Sequence, residues 1–318
     1  MNIDVIICTY NRAQKLVRAV ESIFASELMP GHNLRLLIVD NNSKDETAQV
    51  LKELSLRHGS RLLSIFEERQ GKSRALNAAL NRISGNLVAF TDDDVTVDRR
   101  WIVEMISALE RHRECRCFGG RTVPIYPERL PDWLDLDGSM GFVRSVFVDR
   151  FDGEEEVFYG KGRTVSQTPA GVNMFFRREA VQLNGLFRTD LGPQGDELGF
   201  SEDTEYCQRL IRLGERFMYI PTAVVNHPVH ENRLTKEYLL SWQYRCGRSE
   251  VRKCGGYNGA PSLLGIPRYL LRKWASHGIG TFLAYTAVER FYNKLKLYFT
   301  SGEIIEHLAM LRRRKAAD

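Results

Sequence analysis

The chain of 318 residues lacks the short glycine-rich signatures by which several large enzyme classes are identified. No G-x-G-x-x-G follows its first apolar segment, which argues against a dinucleotide-dependent oxidoreductase. No G-x-x-x-x-G-K-[ST] occurs, which excludes a P-loop NTPase. No G-x-S-x-G occurs either, which argues against an α/β-hydrolase. If the protein binds a nucleotide or acts as an enzyme, residues outside these three motifs must form the site.

Paired cysteines and long apolar runs are also missing. The six cysteines form no C-x-x-C pair, and Cys115 and Cys117 have no second pair at zinc-site spacing, so we interpret the thiols as structural. Scattered thiols in a chain of this size indicate a reducing compartment. The N-terminus shows no basic stretch followed by a long apolar run, and the uncharged run 278–288 is too short to cross a bilayer. We therefore expect a cytoplasmic protein without a signal peptide.

The charge balance is only mildly basic, with a net charge of +5. Part of the excess lies in the terminal run Arg312–Lys315, which is typical of a solvated terminus and, as an alternative, of an anchor for an anionic membrane surface. Net charge is the only feature that favours a nucleic-acid-binding protein, because no basic run interleaved with stacking aromatics lies on the predicted sheet face. The composition, 43% hydrophobic and 27% charged, is that of an ordinary globular protein.

Three consecutive carboxylates, Asp92, Asp93 and Asp94, follow the apolar run 87–90. The apolar run predicts a short buried strand, and in open α/β sheets ligands bind at the carboxyl ends of the strands. Adjacent carboxylates repel each other unless a cation or several donors offset their charge. A divalent cation that carries a phosphate would do so, because Mg²⁺ prefers carboxylate oxygens and shares its shell with phosphates. The alternative is a solvated acidic turn before a helix that begins near Trp101.

The first third of the chain alternates predicted strands and helices, which indicates a parallel sheet built of right-handed crossovers. Strands are expected at 3–9, 34–39 and 62–66 and in the segment that ends at Asp92, with helices at 13–26 and 75–83. Polar residues at the strand ends would then share one edge, which suits a ligand with an anionic diphosphate and a polar base. These residues are Thr9, Tyr10, Asn11, Arg12, Asp40, Asp45, Lys72, Arg74, Asp92, Asp93 and Asp94.

The second half is less regular. The segment 118–124 is expected to be a strand that leaves the sheet, and 149–161 is either a mobile substrate loop or a variable surface excursion. A glycine-rich segment, 190–200, precedes acids at the start of a helix, where carboxylates often serve only the helix dipole. His227 and His230 are close enough to serve one site, although a histidine in a loop is more often merely exposed.

Taken in order, these segments resemble family 2 glycosyltransferases of the GT-A fold. The matching motifs are ICTYNR at 7–12, VDNNSKDET at 39–47, FTDDDV at 90–95, and the later series AGVNMFFRRE, LNGLF, SEDTEYCQRL and AVVNH. The resemblance covers about residues 1–250. Nucleotidylyltransferases of similar fold begin with a G-x-G-T-R-type loop, and this chain has Thr9-Tyr10-Asn11-Arg12 in its place.

The resemblance implies an α/β fold with a Rossmann-like, mostly parallel central sheet flanked by helices and with a C-terminal helical extension. It divides the chain into a glycosyltransferase domain, 1–250, with a nucleotide-binding half, 1–120, and an acceptor and catalytic half, 121–250, followed by a helical subdomain, 251–318. The implied activity is metal-dependent, inverting transfer of a sugar, most often from a UDP-sugar, to a hydroxyl of a glycan or lipid-linked saccharide in polysaccharide biosynthesis.

The resemblance also implies roles for particular residues. The donor's base would lie against Thr9, Tyr10 and Asp40, and the rest of the donor against Arg12, Lys72 or Arg74, Asp92 and Asp93. Mg²⁺ or Mn²⁺ would be held by Asp94 and His227, with His230 as a substitute and Asp92 towards the metal's water shell. Asp203 would be the general base. Glu202 would be an alternative base, or would fix the loop or contact donor-sugar hydroxyls.

Two alternatives stay open at this point. A catalytically silent sugar-nucleotide or glycan-binding protein could share the scaffold, although such a protein has no need of a base at Asp203. The helical segment 251–318 interleaves aromatic and basic residues, which suits peripheral contact with the cytoplasmic face of a membrane near a lipid-linked acceptor. A helical pair that closes the acceptor side or forms a dimer contact suits the same pattern.

Overall fold

The computed structural model describes residues 1–147, 153–160, 168–195, 199–257 and 259–315. The chain forms two compact units. The first unit comprises residues 1–125, 147–189 and 202–228, and the second comprises 126–146, 190–201 and 229–318. The domain boundaries predicted near residues 120 and 250 stay a prediction.

The first unit is built on a sheet with nine strands in the described residues, in the order β3-β2-β1-β4-β8-β6-β9-β5, with β7 paired to β9. The strands are β1 (Asn2–Thr9), β2 (Asn33–Asp40), β3 (Leu62–Phe66), β4 (Leu87–Asp92), β5 (Thr96–Val97), β6 (Cys117–Ile125), β7 (Val157–Phe158), β8 (Met174–Arg177) and β9 (Phe217–Pro228).

Strands β1 to β4 are parallel, as the sequence predicts. Thr9 pairs with Asp40 across β1 and β2, and Cys8 pairs with Asp92 across β1 and β4. Because the strands run in the same direction, their carboxyl ends meet at one edge of the sheet. The expected convergence of the polar strand ends is therefore confirmed.

The other half of the sheet is mixed and corrects two expectations. Strand β8 is antiparallel to both β4 and β6, whereas β6 and β9 are parallel. The segment 118–124 does not leave the sheet, because it lies within β6 between β8 and β9. Strand β9 begins in the apolar run 217–220 and continues to Pro228, with a register shift opposite Gly120 and Arg121. His227 therefore lies on a strand and not in a loop.

Helices cover both faces of the sheet. Alternate residues of β1 point to opposite faces, so that Ile3, Val5 and Ile7 join one apolar core and Ile6 joins the other. The helices of the first unit are α1 (Ala13–Phe24), α2 (Thr47–His58), α3 (Lys72–Leu80), α4 (Trp101–Arg111), α5 (Arg178–Asn184) and α6 (Glu202–Arg212). The first core takes side chains from α1, α2 and α4, and the second from α3, α5 and α6.

Helix α3 begins earlier than predicted, and α1 ends earlier. Gly71 precedes α3 with φ 139°, a conformation that favours glycine, and Lys72 is the first helical residue. Lys72 and Arg74 therefore lie on a helix and not in the loop before it. The segment 149–161 is only partly described, since 149–152 and 161 lie outside the described residues, and within it Val157 and Phe158 form β7.

The second unit is mainly helical, as expected for the C-terminal part. It contains α7 (Lys236–Cys254), α8 (Arg268–Leu283) and α9 (Ala287–Lys315), with a small hairpin of β10 (Ser262–Leu263) and β11 (Ile266–Pro267). Throughout the described ranges, no helix is both long enough and apolar enough to pass through a bilayer.

Candidate active site

The acidic run at the end of β4 is buried and paired within the protein. Arg12, which follows β1, donates from Nη1 to Asp93 Oδ1 and to Asp94 Oδ2, both at 2.8 Å. Both carboxylates are buried, whereas 37% of the Arg12 side chain is exposed. The parallel pairing of β1 with β4 brings this arginine to the acids. The solvated-turn alternative is therefore wrong for Asp93 and Asp94.

Lys72 connects the acidic run to the first turn of α6. Its Nζ lies 2.8 Å from Asp92 Oδ1 and 3.7 Å from Glu202 Oε1. Burial would lower the pKa of Lys72, but the charges of Asp92 and Glu202 outweigh it and hold that pKa above its usual value. Burial likewise raises the pKa of Asp92, and the charge and hydrogen bond of Lys72 bring it below its usual value. This pair is therefore ionised at neutral pH.

Two other carboxyl groups are shifted in the opposite direction. Burial raises the pKa of Asp93 to about 6, although the charge of Arg12 opposes the rise. Burial also raises the pKa of Glu202, with the charge of Lys72 opposing and that of Asp203 adding to the rise. Perturbed carboxyl groups that lie close together are typical of functional sites.

Three side chains of the first unit form a set that could hold a metal ion. Ligand atoms of Asp92, Asp94 and His227 lie within 4.8 Å of one another. His227 is buried on β9, and its place on that strand lies beside Pro124 of β6. His230, the predicted substitute, belongs to the second unit and is not part of this set.

Asp203 is held in place by backbone groups. Its Oδ2 accepts a hydrogen bond from Gly171 N at 2.8 Å, and its Oδ1 accepts one from Thr204 N at 2.6 Å. A Cβ at position 171 would lie 2.9 Å from the Asp203 side chain, so any larger residue there would displace that side chain. The sequence prediction did not single out Gly171, although it lies within the motif AGVNMFFRRE.

The loops after β1 and β2 are joined at the same edge. Asn11 N donates to Ser43 Oγ at 3.0 Å, and Ser43 N donates to Asp40 Oδ1 at 2.9 Å. Thr9, the last residue of β1, is buried beside Asp40, and Tyr10 follows it, half-buried. These contacts place the three residues predicted for the base pocket on adjoining segments.

Asn41 is a second residue that the sequence prediction missed. Its Nδ2 donates to the carbonyl oxygens of Glu67 and Arg69 at 3.1 and 2.8 Å, and its Oδ1 accepts from Gly71 N at 2.7 Å. The position directly after β2 is the signal that could have found it. Through these bonds the loop after β2 sets the start of α3, and with it the position of Lys72.

One predicted residue is not brought into the cluster. Arg74 lies on α3 and is half-buried, and among the described residues no contact joins it to the acids of the site. Its charge instead adds to a lowering of the pKa of Glu67 that is due mainly to a hydrogen bond from Arg69. Most of the other predicted acids and cations of the first unit lie in one connected group. Its members are Arg12, Lys72, Asp92, Asp93, Asp94, Glu202 and His227. Asp203 directly follows Glu202 in the chain, and Asp40 is held instead by Ser43 N.

The group combines three chemical capacities. Two carboxylates and an imidazole can bind a divalent cation. Arginine and lysine side chains can pair with phosphate oxygens. A carboxylate fixed by backbone donors can accept a proton from a hydroxyl.

The chain matches known glycosyltransferases in sequence. The family profile described as Glycosyl transferase family 2 covers residues 4–182, more than half of the chain. A glucosyl-dolichyl phosphate glucuronosyltransferase from Haloferax volcanii is 26% identical over 253 residues, which are 79% of this chain and 76% of that protein. The succinoglycan biosynthesis protein ExoM from Rhizobium meliloti is 25% identical over 256 residues, which are 79% of this chain and 75% of that protein.

The fold is also that of known glycosyltransferases. The mannosyltransferase PcManGT from Pyrobaculum calidifontis, solved in complex with GDP-Man and Mn²⁺, superposes with a TM-score of 0.62. It is 17% identical in sequence, and the match covers 96% of this chain and 86% of that one. The structure therefore has the GT-A fold with a helical C-terminal part, as the sequence predicts. On the profile match and these relatives, the chain belongs to glycosyl transferase family 2.

Proposed function

We propose that the protein transfers a sugar from a nucleoside-diphosphate sugar to a hydroxyl group of a glycan or lipid-linked saccharide, with inversion and with a divalent cation. The observation that carries the proposal is the connection of two sets of acids. Asp92, Asp94 and His227 could hold a cation, and Lys72 joins Asp92 to Glu202, the neighbour of Asp203.

The side chains present suit a divalent cation. Asp92 and Asp94 offer hard oxygen donors and His227 offers a nitrogen donor, a set that suits Mn²⁺ and tolerates Mg²⁺. The set is compact, and two of its three members are buried. Asp92, Asp94 and His227 would hold the ion. When bound, the ion would offset the charge that collects on the departing diphosphate.

Asp203 is the proposed general base. The acceptor oxygen bonds to the anomeric carbon as the bond from that carbon to the diphosphate oxygen breaks, and the acceptor proton passes to the Asp203 carboxylate. Attack on the face opposite the departing diphosphate inverts the anomeric carbon. Gly171 N and Thr204 N hold Asp203 in one orientation, which supports a positioned base.

The cations of the cluster are proposed to bind the donor. Lys72 and Arg12 carry fixed positive charge at the sheet edge and would pair with diphosphate oxygens, as predicted from sequence. The Glu202 carboxylate forms an ion pair with Lys72 and lies in the same helical turn as Asp203. We propose that Glu202 fixes this turn and reaches the hydroxyls of the donor sugar. Nothing among the described residues favours the silent binding protein as an alternative.

A thermal-shift screen tests the donor proposal, because a ligand that binds only the native state raises the melting temperature. UDP-sugars are the expectation from the family resemblance. The screen should also include GDP-sugars, since the solved mannosyltransferase contains GDP-Man. We expect one nucleotide sugar to raise the melting temperature more with Mn²⁺ than with EDTA.

The same screen with Asp94→Asn tests whether the Mn²⁺-dependent rise in melting temperature arises at the proposed metal site. The Mn²⁺-dependent part of the shift should disappear in this variant and persist in Asp98→Asn, a change at a nearby exposed aspartate. If no nucleotide sugar shifts the wild-type protein in either condition, donor binding at this site is wrong.

We also propose that the C-terminal helices contact a membrane surface peripherally. Phe282, at the end of α8, and Tyr285, two residues after it, have aromatic side chains that are 86% and 98% exposed. Exposed basic residues lie on α8 and α9, for example Arg272 and Lys294. Apolar and aromatic groups beside basic ones are typical of interfacial contact with anionic lipids. The alternative, a contact between copies of the chain, would use the same residues.

A further inference from the structure

The second unit contains a polar cavity that shares no residue with the candidate active site. Its volume is about 290 Å³. Arg245, Arg248 and Arg252 line it from α7, and Gly192 and Gly199 also line it. Residues three and four apart lie on one face of a helix, so the three guanidinium groups belong to one surface of α7.

Three arginines line this cavity, and a buried carboxylate pairs with two of them. Glu306 of α9 is fully buried and accepts from Arg248 Nε at 2.9 Å and from Arg252 Nη2 at 3.0 Å. Within the described residues, no carboxylate lies at ion-pair distance from Arg245. A cavity lined by three guanidinium groups is suited to an anion.

Arg245 and Arg248 each have hydrogen-bond donors that could bind such an anion. Arg245 Nε donates to Ser241 Oγ at 3.3 Å, and Arg248 uses its Nε for Glu306. Arg245 and Arg248 thus use Nε for their contacts with described residues. Each guanidinium carries further N–H donors on its Nη atoms. Those Nη groups form the planar fork that matches the oxygens of a phosphoryl group.

Close contacts hold two further lining residues, Ser249 and Gly199. Phe200 N donates to the buried Ser249 Oγ of α7 at 3.1 Å, and the Phe200 ring lies 5.4 Å from that of Trp242. A Cβ at Gly199 would lie 2.1 Å from Gly192 O, and Gly192 has φ 85°. Only glycine fits at position 199 so close to this carbonyl group, and the positive φ of Gly192 favours glycine there.

We propose that this cavity binds a phosphoryl group, carried either by a phosphorylated acceptor or by free phosphate or pyrophosphate. The identification of the source as the acceptor rests on the proposed function, whereas the anion site itself does not. The volume admits a diphosphate with a small attached group. Free phosphate or pyrophosphate presents the same chemistry, so the experiment has to separate the two sources.

The test is calorimetric titration of the full chain with inorganic pyrophosphate in the absence of divalent cations. Loss of one charge-assisted hydrogen-bonding partner should weaken binding by about tenfold or more in Arg245→Gln. The matched control is Arg18→Gln, which removes an exposed arginine of α1 and should leave the Kd unchanged. Unchanged binding in Arg245→Gln overturns the proposal.

A second variant separates this cavity from the active site. Lys72→Gln removes a cation of the active site, and the Arg245-dependent part of pyrophosphate binding should persist in it if the cavity is a separate site. Binding that depends on Lys72 and not on Arg245 overturns the proposal. If Arg245→Gln does not fold, Arg245→Lys replaces it. That variant keeps the charge and loses the fork, so weaker binding is expected and unchanged binding again overturns the proposal.

A short isoprenyl diphosphate and the corresponding alcohol identify the source. Binding of the diphosphate ester, with the same dependence on Arg245 and without binding of the alcohol, supports a phosphorylated acceptor. Binding of inorganic pyrophosphate alone overturns the acceptor as the source. Sugar transfer that persists without Arg245-dependent anion binding rejects this inference only, and anion binding without any sugar transfer rejects the proposed function only.

Discussion

At the scale of single residues, the arrangement around Arg12 shows how three adjacent carboxylates coexist in a folded protein. Arg12 donates to two of them and Lys72 to the third. A bound cation would compete with Arg12 for Asp94, since both would use that carboxylate. Stability and metal binding should therefore be coupled through Arg12.

We expect Arg12→Gln to lower the free energy of unfolding by about 2 kcal/mol in EDTA. Removing one partner of a buried ion pair leaves the other charge uncompensated, and the partial exposure of Arg12 reduces the cost. Mn²⁺ should restore part of the loss, because it supplies the missing positive charge. Urea unfolding with and without Mn²⁺ measures this. Arg18→Gln, an exposed position on α1, is the control, and equal losses in both variants would contradict the account.

The second prediction at this scale concerns the room around Asp203. Gly171→Ala would place a methyl group 2.9 Å from the Asp203 side chain and displace the carboxylate. We expect sugar transfer to fall by about tenfold to a hundredfold, since small displacements of a catalytic group carry large costs. Steady-state kinetics and a melting curve measure activity and folding separately. Gly278→Ala, where a Cβ meets open space, should keep full activity.

At the scale of the elements, the sequence predicted the strands and helices that have a regular pattern of apolar residues. The apolar runs of β1 to β4 identify parallel strands because such strands are buried on both faces, and polar residues directly after them mark the ligand edge. The position of His227 could not be predicted in this way. Strand β9 contains Pro221 and shifts register opposite Gly120, so the pattern at 217–220 ends before the strand does.

The contacts of Asp203 and Asn41 were unpredictable for a different reason. Both depend on backbone groups of segments that are distant in sequence, Gly171 in one case and Glu67, Arg69 and Gly71 in the other. Periodicity does not report such long-range contacts. The motif resemblance identified Asp203, but only the structure shows what orients it.

The helix pair α7 and α9 gives a prediction on pH. Burial raises the pKa of Glu306, and the hydrogen bonds from Arg252 and Arg248 outweigh this and place it below its usual value. A lowered pKa in the folded state adds stability above the unfolded pKa, near 4.5, which is lost as the pH falls through the folded value. Glu306→Gln should therefore cost about 2–3 kcal/mol near neutral pH and much less at about pH 3.

Urea unfolding at several pH values measures this difference. Glu289→Gln, an exposed position at the start of α9, is the control and should show little change at any pH. A loss in Glu306→Gln that stays constant across the acid range would contradict the role given to the ion pair.

At the scale of the whole molecule, the fold is retained while the sequence is not. The mannosyltransferase that shares this fold is only 17% identical. The alternation of apolar strands and amphipathic helices specifies the sheet, and many side chains satisfy that pattern. The C-terminal helices lie beyond the family profile, which ends at residue 182, and there the surface chemistry is the guide.

The proposed membrane contact is tested on the intact chain. We expect a Phe282→Ser, Tyr285→Ser double variant to lose most of its co-sedimentation with anionic liposomes, because both side chains are exposed and would enter the lipid interface. Leu56→Ser, at an exposed apolar position on α2, is the control and should bind as the wild type does. Unchanged co-sedimentation of the double variant would exclude these residues as the membrane contact.

The central claim is that acids from separate elements meet to bind a donor and to take up the proton of an acceptor. Nucleotide release measured with the preferred donor, Mn²⁺ and acceptor, in wild type and Asp203→Asn, tests it most directly. The amide oxygen of the substituted side chain can still accept from Gly171 N, so donor binding should be unchanged. The account predicts that nucleotide release falls by about a hundredfold or more, as for loss of a general base. Release at the wild-type rate in Asp203→Asn would contradict it.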